Sequence, residues 1–224
     1  MTTLLTAAEK DDRPPALPIY IVGDRSSSME NEPIRALNEM LETLRIGLLN
    51  QPEAADVARI ALISFSDTAT LDVPLTDVAD IRSMPSLTAD GSTAYGAVFD
   101  LLVSHLPASV DALKSTGHKV YRPSVFMITD GQPNDPEVPR WAAYRRLISP
   151  ENTWRPNVAV FGLGTADREV CRKIAHGRGY AYFPLDGMDV SDSLKKLIPE
   201  LMKSVLWSAR TAAANGAPQS PFAQ

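Results

Sequence analysis

Short apolar runs, each about the length of one strand, alternate along this chain with segments of helical periodicity, and this alternation restricts the fold more than any other feature. The runs are Ile19 to Gly23, Arg59 to Phe65, Pro123 to Thr129, Asn157 to Leu163 and, more briefly, Tyr180 to Pro184. Between them lie helical patterns. From Pro33 to Leu49, the residues Ile34, Leu37, Met40, Leu41, Leu44 and Leu48 form one stripe. Others span Ala94 to His105, Ser109 to Ser115, Trp141 to Ile148, Arg168 to Arg178 and Val190 to Trp207. The expected architecture is α/β: a doubly wound, Rossmann-like, mostly parallel sheet with helices on both faces. One exception is built in. Ala69 to Leu75 follows the second run after only Ser66, Asp67 and Thr68, too short a connection for a parallel crossover, so one edge strand is expected to be antiparallel.

The 224 residues suit one domain, expected over 16–209, with flexible tails over 1–15 and 210–224 whose residues offer little to bury. A formal charge of −5 with no Lys/Arg stripe lacks the footprint of a nucleic-acid binder. The apolar runs fall short of the roughly 20 residues that span a bilayer, and Met1 to Lys10 has no basic segment followed by an apolar one, so the expected setting is cytoplasmic, without a membrane partner. The single cysteine, Cys171, excludes an internal disulfide and a CxxC zinc site, and reads as a half-buried helix residue.

Chemistry-bearing residues gather where strands should end. Asp24-Arg25-Ser26-Ser27-Ser28 follows the first strand, Thr129-Asp130-Gly131 follows the third long run, and Gly91-Ser92-Thr93 precedes a helix opening on the same edge. Ligands of open parallel sheets bind outside the carboxyl ends of the strands, where strand order reverses. In an extended turn Asp24, Ser26 and Ser28 point one way and Arg25 and Ser27 the other. Each segment alone has a plain reading as a turn or helix cap. Together they supply two carboxylates and three hydroxyls, hard oxygen donors that suit Mg²⁺ or Mn²⁺, with Ca²⁺ also possible.

These residues resemble a von Willebrand factor A domain carrying a metal-ion-dependent adhesion site: Asp-x-Ser-x-Ser at Asp24, Ser26 and Ser28, then Thr93, then Asp130-Gly131, over about Leu17 to Trp207. Within that family, Leu17 to Tyr20, Met29 to Ile34 and Phe65 to Leu75 resemble the bacterial tellurium-resistance TerY type, a cytoplasmic stress-response branch. Gly23 before the motif, and Arg25 and Ser27 within it, depart from the family pattern, and Arg25 places a cation near the ion. The resemblance implies that Ser26, Ser28 and Thr93 touch the ion, while Asp24 and Asp130 hold it largely through water. An open coordination position would take an Asp or Glu from a protein partner, and protein kinases or phosphatases are the partners the TerY-type branch suggests.

Two other functions fit the residues less well. A metal-dependent hydrolase or phosphatase would use the same ion to activate water, but no His or Lys adjoins the ligand segments as a base; His105, His118 and His176 fall on helices or in loops. A nucleotide site at Gly162-Leu163-Gly164-Thr165-Ala166-Asp167 is disfavoured because Asp167 stands where a dinucleotide fingerprint has its third glycine; Asp167 reads instead as a helix N-cap. Trp141 and Tyr144 read as covering the sheet, Leu206 and Trp207 as anchoring the last helix, and Gln132, Asn134 and Asp135 as the rim of the Asp130 loop.

Overall fold

Unbroken apolar runs need cover on both faces, and the computed structural model, which describes residues 15–184 and 187–215 with side chains to 207, provides it. The strands are β1 (Leu17–Asp24), β2 (Ala58–Phe65), β3 (Ala69–Asp77), β4 (Ser124–Thr129), β5 (Asn157–Gly162) and β6 (Ala181–Tyr182). The helices are α1 (Glu32–Leu49), α2 (Pro52–Ala55), α3 (Tyr95–Ser115), α4 (Glu137–Leu147), α5 (Arg168–Ile174) and α6 (Val190–Asn215). The sheet order is β3-β2-β1-β4-β5-β6. Every pairing is parallel except β2 with β3, the expected antiparallel edge. Strand order reverses between β1 and β4, so the carboxyl ends of these two strands flank the crevice.

Alternate residues of each strand feed two separate cores. Ile19 and Ile21 of β1, Ile60 and Leu62 of β2, and Phe126 and Ile128 of β4 face Leu37, Met40, Leu41 and Leu44 of α1 and Leu194, Leu197 and Leu201 of α6. Tyr20, Val22, Ala61, Ile63, Val125 and Met127 face the other way, against Val98, Phe99, Leu102 and Leu106 of α3 and Tyr144 and Leu147 of α4. Each buried Val, Leu, Ile, Phe or Met among them contributes roughly 1.5–3 kcal/mol by leaving water.

The segment between β3 and α3 has little regular structure, yet it is fastened to α1. Asn38 Nδ2 donates to Leu87 O and Leu87 N donates to Asn38 Oδ1, both at 2.9 Å. Glu42 Oε2 accepts from Met84 N at 3.0 Å, and Arg45 donates to Ile81 O at 3.0 Å. These contacts fix the approach of the chain to Thr93.

Several expected boundaries move, each for a physical reason. The stretches Ala94 to His105 and Ser109 to Ser115 are one helix, α3, with Pro107 inside it. Leu102, Leu106 and Val110 form a buried i, i+4 stripe through the proline, and their packing outweighs the missing backbone bond, which costs about 3 kcal/mol. That helix has the length and composition to cross a membrane, a property hidden when it is read as two pieces; here its apolar stripe lies against the sheet. α4 starts at Glu137 rather than Trp141, because Pro139 is tolerated in a first turn. α5 stops at Ile174 instead of Arg178, since His176 leaves the helix to bridge Val158. α6 continues to Asn215; the expected tails otherwise lie outside the described residues. Cys171 is fully rather than half buried, and burial pushes its thiol up to about 12.

Gly23 also finds its reason. A Cβ there would meet Leu37 Cδ2 at 3.2 Å and Leu87 Cδ1 at 3.7 Å, so α1 and the 81–94 segment close directly onto β1. Gly23→Val is expected to lower stability by about 1–3 kcal/mol in urea denaturation through overpacking; an unchanged midpoint would show that Leu37 and Leu87 give way freely.

Candidate functional site

β1 ends by delivering Asp24 into the crevice with its side chain fully buried. Ser26 N donates to Asp24 Oδ1 at 2.8 Å, and this bend leads into a 3₁₀ turn over Ser27–Met29 whose Met29 plugs into the core. The loop is thus a 3₁₀ turn rather than the expected extended turn. Convergence survives the change: Ser26 Oγ lies 3.0 Å from Ser28 Oγ, and Ser28 Oγ donates to Asp130 Oδ1 at 2.7 Å. Ser27, expected to point away, lines the cleft, because a 3₁₀ turn does not alternate faces.

The end of β4 approaches from the other side of the switch point. Thr129 Oγ1 donates to Asp24 Oδ2 at 2.5 Å, tying the two strand ends together. Tyr95, the first residue of α3, is fully buried beneath them; its hydroxyl lies 3.1 Å from Thr129 Oγ1 and donates to Gly131 O at 3.0 Å. Thr165, in the loop after β5, donates to Asp130 O at 3.1 Å.

Thr93 is buried against this pair of loops. A Cβ on Gly131 would lie 2.9 Å from Thr93 Oγ1, so glycine after Asp130 is what admits the threonine. Asn134 N donates to Thr93 O at 2.9 Å. The helix-cap alternative for Thr93 fails, since α3 begins at Tyr95 with Ala94 at the cap and no side-chain capping bond. Asp24, Ser26, Ser28, Thr93 and Asp130 are therefore all brought to one sheet edge. Ser26, Ser28 and Thr93, with Gly91, Gln132, Asn134 and Thr165, line an open cleft of about 530 Å³.

The sequence matches the von Willebrand factor type A domain over residues 19–197. The chain belongs to this family. Solved structures with a similar fold include the von Willebrand factor type A protein from Catenulispora acidiphila, at 18% identity and a TM-score of 0.66, covering 86% of this chain and 43% of that one. A second is proximal thread matrix protein 1 from the mussel byssus with a zinc-occupied MIDAS motif, at 21% identity and a TM-score of 0.59, covering 88% and 47%. A third is the manganese-loaded TRAP protein of Plasmodium vivax, at 18% identity and a TM-score of 0.51, covering 82% and 72%. The chain thus spans less than half of the first two proteins. Comparison with curated proteins finds no match.

In this von Willebrand A domain the donors are hard oxygens throughout. Among the described residues no cluster of three or more His, Cys, Asp or Glu side chains is placed to hold an ion, so the edge is hydroxyl-rich with two carboxylates. Burial pushes Asp24 up to about 6, against the hydrogen bonds from Ser26 and Thr129, and neighbouring Asp130 adds to the rise. Asp130 is raised as well, chiefly by burial and against the Ser28 bond. Two carboxylates are thus held in a setting that disfavours their charges, the condition a divalent cation relieves. The donor set fits such an ion.

Other expectations resolve. Arg25 is not among the cleft-lining residues; its charge falls on Asp67, which the Ser92 hydroxyl and amide, more than Arg25, hold below the usual carboxylate range. Gln132 and Asn134 do line the cleft, whereas Asp135 turns inward, accepting from Gly96 N at 2.7 Å and pairing with Arg140 at 3.0 Å. Asp167 is the N-cap of α5, accepting from Glu169 N and Val170 N at 2.9 and 3.0 Å. Sequence reasoning misses Thr129, Tyr95 and Thr165. Thr129 and Thr165 are discoverable as hydroxyls at neighbouring carboxyl strand ends, but Tyr95 carries no signal beyond that of a core aromatic.

Folded Asp24 binds its proton more tightly than an unfolded aspartate does. The metal-free domain therefore has this stability in full below about pH 4 and loses it as pH rises through about 6. The loss is on the order of 3 kcal/mol, since each tenfold change in proton affinity is worth about 1.4 kcal/mol. Asp24→Asn is expected to remove this pH dependence and to stabilise the metal-free protein at pH 7.5 in chemical denaturation. A variant less stable than wild type at that pH would show that the charged carboxylate is not a burden.

Proposed function

We propose that this von Willebrand A domain is a metal-dependent protein-binding adaptor that docks an acidic side chain of its partner at the Asp24 and Asp130 edge. The observation that carries the reading is the direct contact of the two motif halves, Ser28 Oγ on Asp130 Oδ1 at 2.7 Å, with Ser26 Oγ and Thr93 Oγ1 beside them. Ser26, Ser28, Thr93, Asp24 and Asp130 would hold Mg²⁺ or Mn²⁺, with Ca²⁺ as the further candidate. When bound, the ion supplies a positive centre that attracts a carboxylate. The protein's own part is to present the donors in fixed array. Asp24 is held by Ser26 N and Thr129, Asp130 by Ser28, and the loop after Asp130 by Tyr95. The zinc and manganese named for the mussel and Plasmodium proteins support a divalent ion here.

Members of this family are generally interaction modules, and the cleft lining favours binding over hydrolysis. It contains serines, threonines, glycines, Gln132, Pro133 and Asn134, and no His, Lys or Glu to serve as a base. We place the adaptor in the cytoplasm, in a stress response of the tellurium-resistance TerY type, with a protein kinase or phosphatase as the first partner to test. The supports for that finer reading are the sequence segments Leu17 to Tyr20, Met29 to Ile34 and Phe65 to Leu75.

Calorimetric titration with Mn²⁺ is expected to show one site in the wild type and none in Asp130→Ala, with both variants equally folded by circular dichroism. Thr93→Ala is expected to weaken the ion, because the lost hydroxyl serves the cleft, and EDTA to release the acidic partner. Equal Mn²⁺ affinity in wild type and Asp130→Ala would sink the site.

A further inference from the structure

At the amino-terminal edge of the sheet, opposite the cleft, the dipeptide Arg-Pro occurs twice in the same structural position. Arg122-Pro123 leads into β4 and Arg155-Pro156 into β5. The register starts at Ser124↔Asn157, so Arg122 and Arg155 each stand two residues before paired strands, and they are near enough for their charges to act on each other. Asn157 N donates to Pro123 O at 2.8 Å, which holds the two chains together at the residues next to the arginines. The loop after α5 brings a third arginine to this corner. His176 exchanges two backbone bonds of 3.0 Å with Val158, and Arg178 N donates to Asn157 Oδ1 at 3.1 Å.

Like charges set side by side repel unless something neutralises them. Arg59, on β2, has Asp77 at 3.2 Å. Among the described residues no ion pair joins Arg122 or Arg155 to a carboxylate, although both are half-buried and the chain as a whole carries a charge of −5. The crowding is felt within the cluster. Burial and then Arg155 and Arg178 weaken the hold of Arg122 on its proton, while burial and then Arg155 and Arg122 push His176 below the usual imidazole range.

We propose that the corner formed by Arg122, Arg155 and His176, beside Arg178, binds a phosphorylated side chain of a partner protein through Arg122 and Arg155. Guanidinium forks match phosphate oxygens in bidentate pairs. A phosphoryl group offers three acceptor oxygens and close to two charges at one point, enough to serve more than one arginine, where a carboxylate offers two oxygens and one charge. The positive charge is a compact corner rather than a track, and the acidic remainder of the chain opposes an extended polyanion. The proposal does not depend on the metal reading.

Fluorescence anisotropy in EDTA, with the full chain and a labelled neutral peptide bearing one phosphoserine, tests it. The phosphopeptide is expected to bind at least about tenfold more tightly than its unphosphorylated form, as charge-assisted contacts require. Arg122→Ala/Arg155→Ala is expected to abolish that preference without lowering Tm, since it relieves repulsion, and Asp130→Ala to leave it intact. Arg155→Ala alone replaces the double variant if the latter does not fold. The proposal is overturned by a preference that is absent, that survives the arginine substitutions or that disappears in Asp130→Ala. It is equally overturned if inorganic phosphate at the peptide's concentration displaces the peptide, or if a single-stranded oligonucleotide or phosphatidylserine vesicles bind as tightly.

Discussion

The hydrogen bond from Thr129 Oγ1 to Asp24 Oδ2 joins the ends of the two strands on which the sheet is divided. Parallel strands leave their carboxyl ends pointing into a crevice at the switch point, and the chains departing from β1 and β4 run away to opposite faces. Without a tie the loops that carry Ser26, Ser28 and Asp130 would be free to separate. With it, and with Tyr95 beneath, a buried carboxylate becomes the centre of a network that reaches the loops after β1, β4 and β5 and the start of α3. The cost is a charge held out of water; stability is sacrificed for a prearranged set of oxygen atoms.

Much of this is readable in the residues because two strong periodicities coincide with it. The stripe Ile34, Leu37, Met40, Leu41, Leu44 and Leu48 marks α1, and the continuous runs mark β1, β2, β4 and β5, because both-face burial confines polar residues to the strand ends. The edge assignment of β3 follows from loop length alone. The five candidate site residues are legible because each stands at a strand end or helix start on the same edge of the sheet.

What escapes the sequence is decided by contacts between distant segments. No local pattern tells that the burial of Leu102, Leu106 and Val110 outweighs Pro107, or that Asn38, Glu42 and Arg45 hold the 81–94 segment in place. Asp135 looks like a rim residue because of its neighbours in sequence. In space it answers to Arg140 and to the first-turn amide of Gly96 at the start of α3, which a sequence-local view cannot weigh.

The two borders of the sheet also bear on how the molecule meets others. β6 has only two residues, and β3 is irregular in register and carries Pro74, which has no amide proton to offer. Among the described residues one border is only two residues long and the other is interrupted by Pro74, features that discourage strand addition and edge-to-edge aggregation. On the readings proposed above, recognition falls to the two ends of the strands, where side-chain chemistry rather than generic backbone pairing would set the choice of partner.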